Sequence, residues 1–337
     1  MKSNARVFVV LGLLCAVTAF GQEAVPLPPP ATDTVAPDIP GVVKGGTKVQ
    51  VIVDGLKHTD GPVAMPDGTL LYWDYMERRI GKVDPQGKPS TFLSNTDGQS
   101  AMGFDSKGRL VTTLKEHPPE NKVGVIWPKG SETILADKFD GQNFEGPNDL
   151  VVDKKDGVYF TLSGSGTVLY LRPGTKVVKV FSHPTERING VVLSPDEKTL
   201  YVTPQSRVAK TKLVTAELPK EGGEHLWAFD VQPDGTLTNH RNFAKFQIVT
   251  ERPNNTPDLR FGGDGLTVDA QGRVYAATAA GIQVFSPQGQ HLGTIPVSRN
   301  PNNLAFAGPD KKMLYIVARG AVYKVPMLAE GYKGRAK

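Results

Sequence analysis

One short pattern returns six times between residues 60 and 302 of this chain. The copies are Asp60-Gly-Pro-Val-Ala-Met-Pro-Asp-Gly, Ser100-Ala-Met-Gly-Phe-Asp-Ser-Lys-Gly, Asn148-Asp-Leu-Val-Val-Asp-Lys-Lys-Asp-Gly, Asn189-Gly-Val-Val-Leu-Ser-Pro-Asp-Glu-Lys, Asp264-Gly-Leu-Thr-Val-Asp-Ala-Gln-Gly and Asn302-Asn-Leu-Ala-Phe-Ala-Gly-Pro-Asp-Lys. Each is a polar residue, a short apolar run and a tight turn, and most are followed by a second apolar run such as Leu70-Leu71-Tyr72-Trp73. Intervals between copies are 40, 48, 41, 75 and 38 residues, and a four-stranded blade takes about 40. The spacing predicts an all-β chain folded as a six-bladed β-propeller. Asp67-Gly68 and Asp156-Gly157 are hairpin signals, because tight hairpin turns need positive φ. No helical period stands out.

Closing such a ring removes its exposed strand edges, and Val49–Val53 is expected to pair beside Ala321–Val325 in the last blade. The longest interval holds spare length, read as loops over Pro204–His225 and Asn239–Phe261 around a strand at Leu226–Val231. The second interval has its own loop around His117. Loops on a rigid scaffold are natural lids.

Four segments are expected: a signal peptide over 1–21, a proline-rich tether over 22–46, the propeller over 47–330 and a tail over 331–337. Lys2 and Arg6 precede an apolar run from Val7 to Val17, and Ala19-Phe20-Gly21 places small residues ahead of a cleavage site at Gln22. The expectation is export to the periplasm or beyond, with no membrane span in the mature chain. Cys15 is the one cysteine, so the mature protein has neither a disulfide nor a thiol nucleophile. Leu14 before it is too bulky for a lipid-attachment motif. The formal charge of +5 falls to +3 without the leader. The remaining basic residues are scattered, with no basic stripe and no interleaved aromatics, which argues against a nucleic-acid partner. Oligomeric state is not readable.

In a propeller the innermost strand of each blade lines the central channel, so residues at equal register form a ring. Here the ring is Asp60, Ser100, Asn148, Asn189, Asp264 and Asn302, all oxygen donors. Two carboxylates and three amides suit a hard divalent cation such as Ca²⁺, which takes six to eight oxygens. The ring holds no histidine or cysteine, against a preformed zinc or copper site. Asp and Asn before Gly also occur at turns for backbone reasons alone.

These segments, with Gly263-Asp-Gly-Leu-Thr-Val-Asp-Ala-Gln-Gly and Gly281-Ile-Gln-Val-Phe-Ser-Pro-Gln-Gly, resemble the gluconolactonase/regucalcin/luciferin-regenerating family of six-bladed propellers over about residues 47–326. The resemblance implies one central divalent metal, Ca²⁺ ahead of Zn²⁺, Mn²⁺ or Mg²⁺, with Asp60, Asn148, Asn189 and Asp264 as ligands or close neighbours. It also implies a hydrolase acting on a small lactone or related ester, with Asp264 as general base. Three departures stand out: Asp60 replaces the family's usual Glu, Gly146 stands where sugar-lactone enzymes often carry Arg, and Thr161-Leu162-Ser163 stands where the family often has Thr-Asp-Pro. Ser100, Asn302, His58 and His117 are weaker candidates for substrate contact. His58 precedes Asp60 by two residues, so on a strand it shares its face. The alternatives are a non-catalytic binding propeller and a phosphotriester hydrolase using the same metal site.

Overall fold

A computed structural model describes residues 30–335, except 76, 97, 115–120, 185, 206–222 and 248–261. The expected leader and His117 lie outside the described residues. Strands with alternating or fully buried apolar runs form six sheets, five of four strands and one of five, plus a small two-stranded hairpin. The innermost strands are Thr59–Ala64, Gln99–Phe104, Pro147–Val152, Arg187–Leu193, Gly263–Val268 and Asn303–Ala307. Each touches the next, and the sixth touches the first, so the six sheets are the blades of a closed propeller. Within blades 1 to 5 the four strands run antiparallel in chain order from axis to rim.

Apolar side chains gather in clusters between successive blades. Val63, Trp73 and Met102 join blades 1 and 2, Leu150 and Phe160 serve blades 2 and 3, and Tyr159, Val191 and Phe229 serve blades 3 and 4. Burying such side chains is worth about 1.5–3 kcal/mol each, which is why flat sheets stack around an axis instead of standing alone. Turns at the ends of the inner strands are capped by their own aspartates. Asp105 accepts N–H bonds from Lys107 (3.0 Å) and Arg109 (2.8 Å) and pairs with Arg109 Nε at 2.7 Å. Asp269 repeats the arrangement with Gln271 and Arg273.

The last blade closes as expected. Lys48–Val53 pairs with Ala321–Pro326, Gln50 opposite Lys324 and Val51 opposite Tyr323. Upstream, the expectation of a loose tether to residue 46 is corrected for its described part. Thr34–Val35 adds a fifth strand, and Ile39, Val42 and Val43 are buried with Leu304, Ile316 and Tyr323. Apolar residues spaced among the prolines make this segment part of the core. The expected tail is corrected likewise. Met327 to Arg335 crosses the turns of blades 6, 5 and 4: Gly331 N–H bonds Lys311 O, Ala270 N–H bonds Glu330 O, and Arg335 bonds Leu193 O, Ser194 O and Glu197. The predicted loops of blade 4 also shrink, since strands run Thr199–Gln205 and Leu237–Lys245.

The ring residues sit at the N-terminal starts of the inner strands. Connections between second and third strands, and between blades, open at that same end. The capped turns and the C-terminal segment lie at the opposite end.

Candidate active site

In blades 1 to 5 the inner strand slips its register beside the ring residue, between Asp60 and Val63, Gln99 and Ala101, Pro147 and Leu150, Ile188 and Val191, and Gly263 and Leu266. A bulge breaks the ladder and re-aims a side chain, and leaves an N–H needing a new acceptor. In three blades a threonine on the second strand supplies it. Thr113 accepts from Ala101 N–H (3.0 Å), Thr161 from Asp149 (3.1 Å) and Thr203 from Gly190 (2.7 Å). Each hydroxyl then donates to the ring residue of the next blade: Thr113 to Asn148 O (2.6 Å), Thr161 to Asn189 O (2.7 Å), Thr203 to Asp264 O (2.7 Å). The ring backbone is thus tied blade to blade.

Glycine after a ring residue has a packing cause. A Cβ on Gly190 would collide with Asp264 O, and one on Gly265 with the Asn303 side chain. The Asn-Gly and Asp-Gly pairs of these blades therefore mark close approach of inner strands.

Three ring side chains form one line. Ser100 Oγ donates to Asn148 Oδ1 at 2.7 Å, and Asn148 Nδ2 donates to Asn189 Oδ1 at 2.9 Å and to Ser163 Oγ at 2.6 Å. Asp60 Oδ1 accepts from Gly61 N–H at 2.8 Å and from Asn303 Nδ2 at 3.4 Å, and its Oδ2 has no hydrogen bond among the described residues. Asp264 lies one blade beyond Asn189 and, with Gln205, Thr278 and Asn300, lines a cavity of about 10 Å³. Asp60 and Asp264 therefore flank blade 6. Asn302 between them turns its Oδ1 to the N–H of Arg319 (3.0 Å), a structural contact within its own blade. His58 packs edge-on against Trp73 and Tyr75, at 6.3 and 6.0 Å between ring centres.

Sequence reasoning missed Thr113, Thr161, Thr203, Ser163, Asp149 and Asn303. The threonines had a signal: each stands 13 or 14 residues after a ring residue. Asp149 is buried and accepts from Val191 N–H at 2.9 Å, bridging blades 3 and 4. Burial raises the pKa of Glu186, on the connection into the blade 4 inner strand, against the pull of His183. Two larger clefts, of about 510 and 500 Å³, include no ring residue; the second is lined by Asn121, Glu145 and Gly146. Among the described residues no group of three or more Asp, Glu, His or Cys is placed to hold a metal, so a cation at the ring would need the amides as well.

Residues 58–320 match the SMP-30/Gluconolactonase/LRE-like region. The chain belongs to that family. Within it, a gluconolactonase of Zymomonas mobilis is 26% identical over 328 residues, spanning 86% of this chain and 84% of its own. A lactonohydrolase of Aspergillus oryzae is 22% identical over 302 residues, covering 79% and 67%. Solved structures bear out the fold. A gluconolactonase from Xanthomonas campestris matches with a TM-score of 0.69 at 22% identity, over 89% of this chain and 98% of its own. The calcium-binding regucalcin of Agrobacterium tumefaciens gives 0.63 at 17%, over 85% and 95%.

Proposed function

We propose that this family member hydrolyses a small lactone or related ester at the ring, with a divalent cation, Ca²⁺ first, beside Asp264. The observation that carries the reading is the pair of carboxylates, Asp60 and Asp264, kept at ring positions either side of blade 6 while the other ring residues are neutral. A hard divalent cation takes carboxylate oxygens as ligands and balances their charge. The donor set fits a hard metal: it is all oxygen, and Asp60 Oδ2 carries no hydrogen bond among the described residues. Asp60, Asn189 and Asp264 would hold the ion, with Asn148 fixing the Asn189 amide through its 2.9 Å bond; the Asn148 oxygen, which accepts from Ser100 Oγ, has a second lone pair for the ion. When bound, the cation supplies Lewis-acid polarisation of the ester carbonyl. Asp264 takes the proton of the attacking water. The gluconolactonase and lactonohydrolase relatives and the calcium-binding regucalcin neighbour support this reading.

The test is a panel of γ- and δ-lactones, aryl esters and phosphotriesters, with and without chelator. Lactone turnover that chelator abolishes and Ca²⁺ restores is expected, with Asp264→Asn lowering kcat by about 10²–10⁴-fold. Turnover of phosphotriesters alone would reassign the substrate class. No turnover of any ester under metal-replete conditions would leave a binding propeller. Export is part of the proposal; an intact mass beginning at Gln22 checks it.

A further inference from the structure

We infer that Gln205 is a positioning residue for the attacking water, an inference that rests on the hydrolysis proposed above. Gln205 ends the second strand of blade 4 and is 8% exposed. Its Nε2 is buried with no hydrogen-bond partner among the described residues. A buried N–H without an acceptor costs stability, and such groups in a well-packed fold call for an unseen water or a functional role.

Its placement supplies the role. Gln205 forms an isolated bridge with Gly262. Gly262 has φ of +97°, and a Cβ there would collide with Pro204 O. Only glycine lets the segment entering Asp264 lie against Pro204 and Gln205. Gln205 and Asp264 consequently line one cavity of about 10 Å³, together with Thr278 and Asn300. That is close to the space one water needs, and a buried water needs two to four polar partners.

In the assigned arrangement Gln205 Nε2–H donates to one lone pair of the water. One water O–H faces the Asp264 carboxylate, and the second lone pair attacks the ester carbonyl. As the new C–O bond forms, the proton passes to Asp264. The ring C–O bond then breaks, and Asp264 returns the proton to the departing alkoxide oxygen. Lactone plus water gives the hydroxy acid with no further reactant.

Gln205→Met and Gln205→Leu test this in the otherwise unaltered protein. Both remove an unsatisfied donor and keep an unbranched or compact side chain. The expected result is a fall in kcat of about 10–100-fold, KM within about twofold, and a melting temperature no lower than that of the parent. Unchanged kcat in both variants overturns the inference. So does a kcat loss that only tracks a lowered melting temperature, which is the mark of a packing role. A high-resolution crystal structure adds a readout independent of turnover. A water within hydrogen-bond distance of both Gln205 Nε2 and the Asp264 carboxylate is expected in the parent and not in Gln205→Met. No such water in the parent overturns the inference. The water found in a protein inactive on every ester sinks the proposed activity and keeps the Gln205–Asp264 pairing.

Discussion

Asp60 shows how much one methylene group changes. Its carboxylate bends back to Gly61 N–H at 2.8 Å, a contact that suits a short side chain and pins Oδ1 to the backbone. The remaining oxygen is the one able to meet a cation. If it does, Ca²⁺ in hundredfold excess over its dissociation constant stabilises the fold by about 2.7 kcal/mol. The gain should vanish in Asp264→Ala and shrink in Asp60→Ala, read as a shift in melting temperature. Absence of a shift with any divalent metal removes the metal from the proposal. The identities of the ring residues were legible in the sequence because a repeat fixes register. Their orientations were not. Asn189 and Asn302 are the same residue type at the same repeat position, yet blade 6 pairs Asn303 with Val317 and Leu304 with Ile316 without a slip, and Asn302 turns to Arg319. The pairing runs regularly from His58 to Asp60, with Thr59 opposite Asp74 and Asp60 opposite Trp73, and the His58 ring packs in the Trp73–Tyr75 aromatic cluster.

In blades 2, 3 and 4 the inner strand works as an element with one fault beside the ring and one threonine to mend it. Thr161 is fully buried, accepts from Asp149 N–H and donates to Asn189 O. Thr161→Val keeps the shape and strands both partners. A loss of about 1–3 kcal/mol, with the m-value unchanged, is expected in urea titration. A loss under about 0.5 kcal/mol would show that the hydroxyl is replaceable by solvent. Strand existence was legible from alternation and hairpin signals; strand ends in blade 4 were not. Pro204 reads as a loop residue but pairs opposite Ile188 at the strand's last turn of ladder. Asn239 reads the same way, yet it sits inside the outer strand with φ of +52°, close to a register slip. Tertiary pairing overrode local preference at both places.

At the scale of the molecule, two terminal segments read from the sequence as a tether and a tail complete the fold. The first contributes Lys48–Val53 and Thr34–Val35 to the closing blade, the second seals blades 4 to 6. Their compositions, rich in proline or in charge, hid a few apolar and ionic anchors whose partners lie some 140 to 290 residues away. Lys311 holds the second segment by donating to Tyr332 O (3.2 Å) and Arg335 O (2.8 Å). Burial, helped by Arg335 and Lys333, pushes its pKa down from 10.5 to about 8. Below pH 8 both folded and unfolded chains carry the proton, and the folded chain bears the cost of burying it. Between about pH 8 and 10.5 the unfolded chain binds more protons, so stability rises with pH. A gain of roughly 1–3 kcal/mol from this group is expected across that window. It should be read as the difference between the parent and Lys311→Met, in which the buried tyrosines that oppose it above pH 10 cancel. A difference that stays flat from pH 8 to 10 would place the amine in solvent.

The strip from Met327 to Arg335 lies over the far ends of inner strands 4 and 5, opposite the carboxylates. One strap thus spans the turns of three blades, and those turns can part from one another only after it has been peeled away.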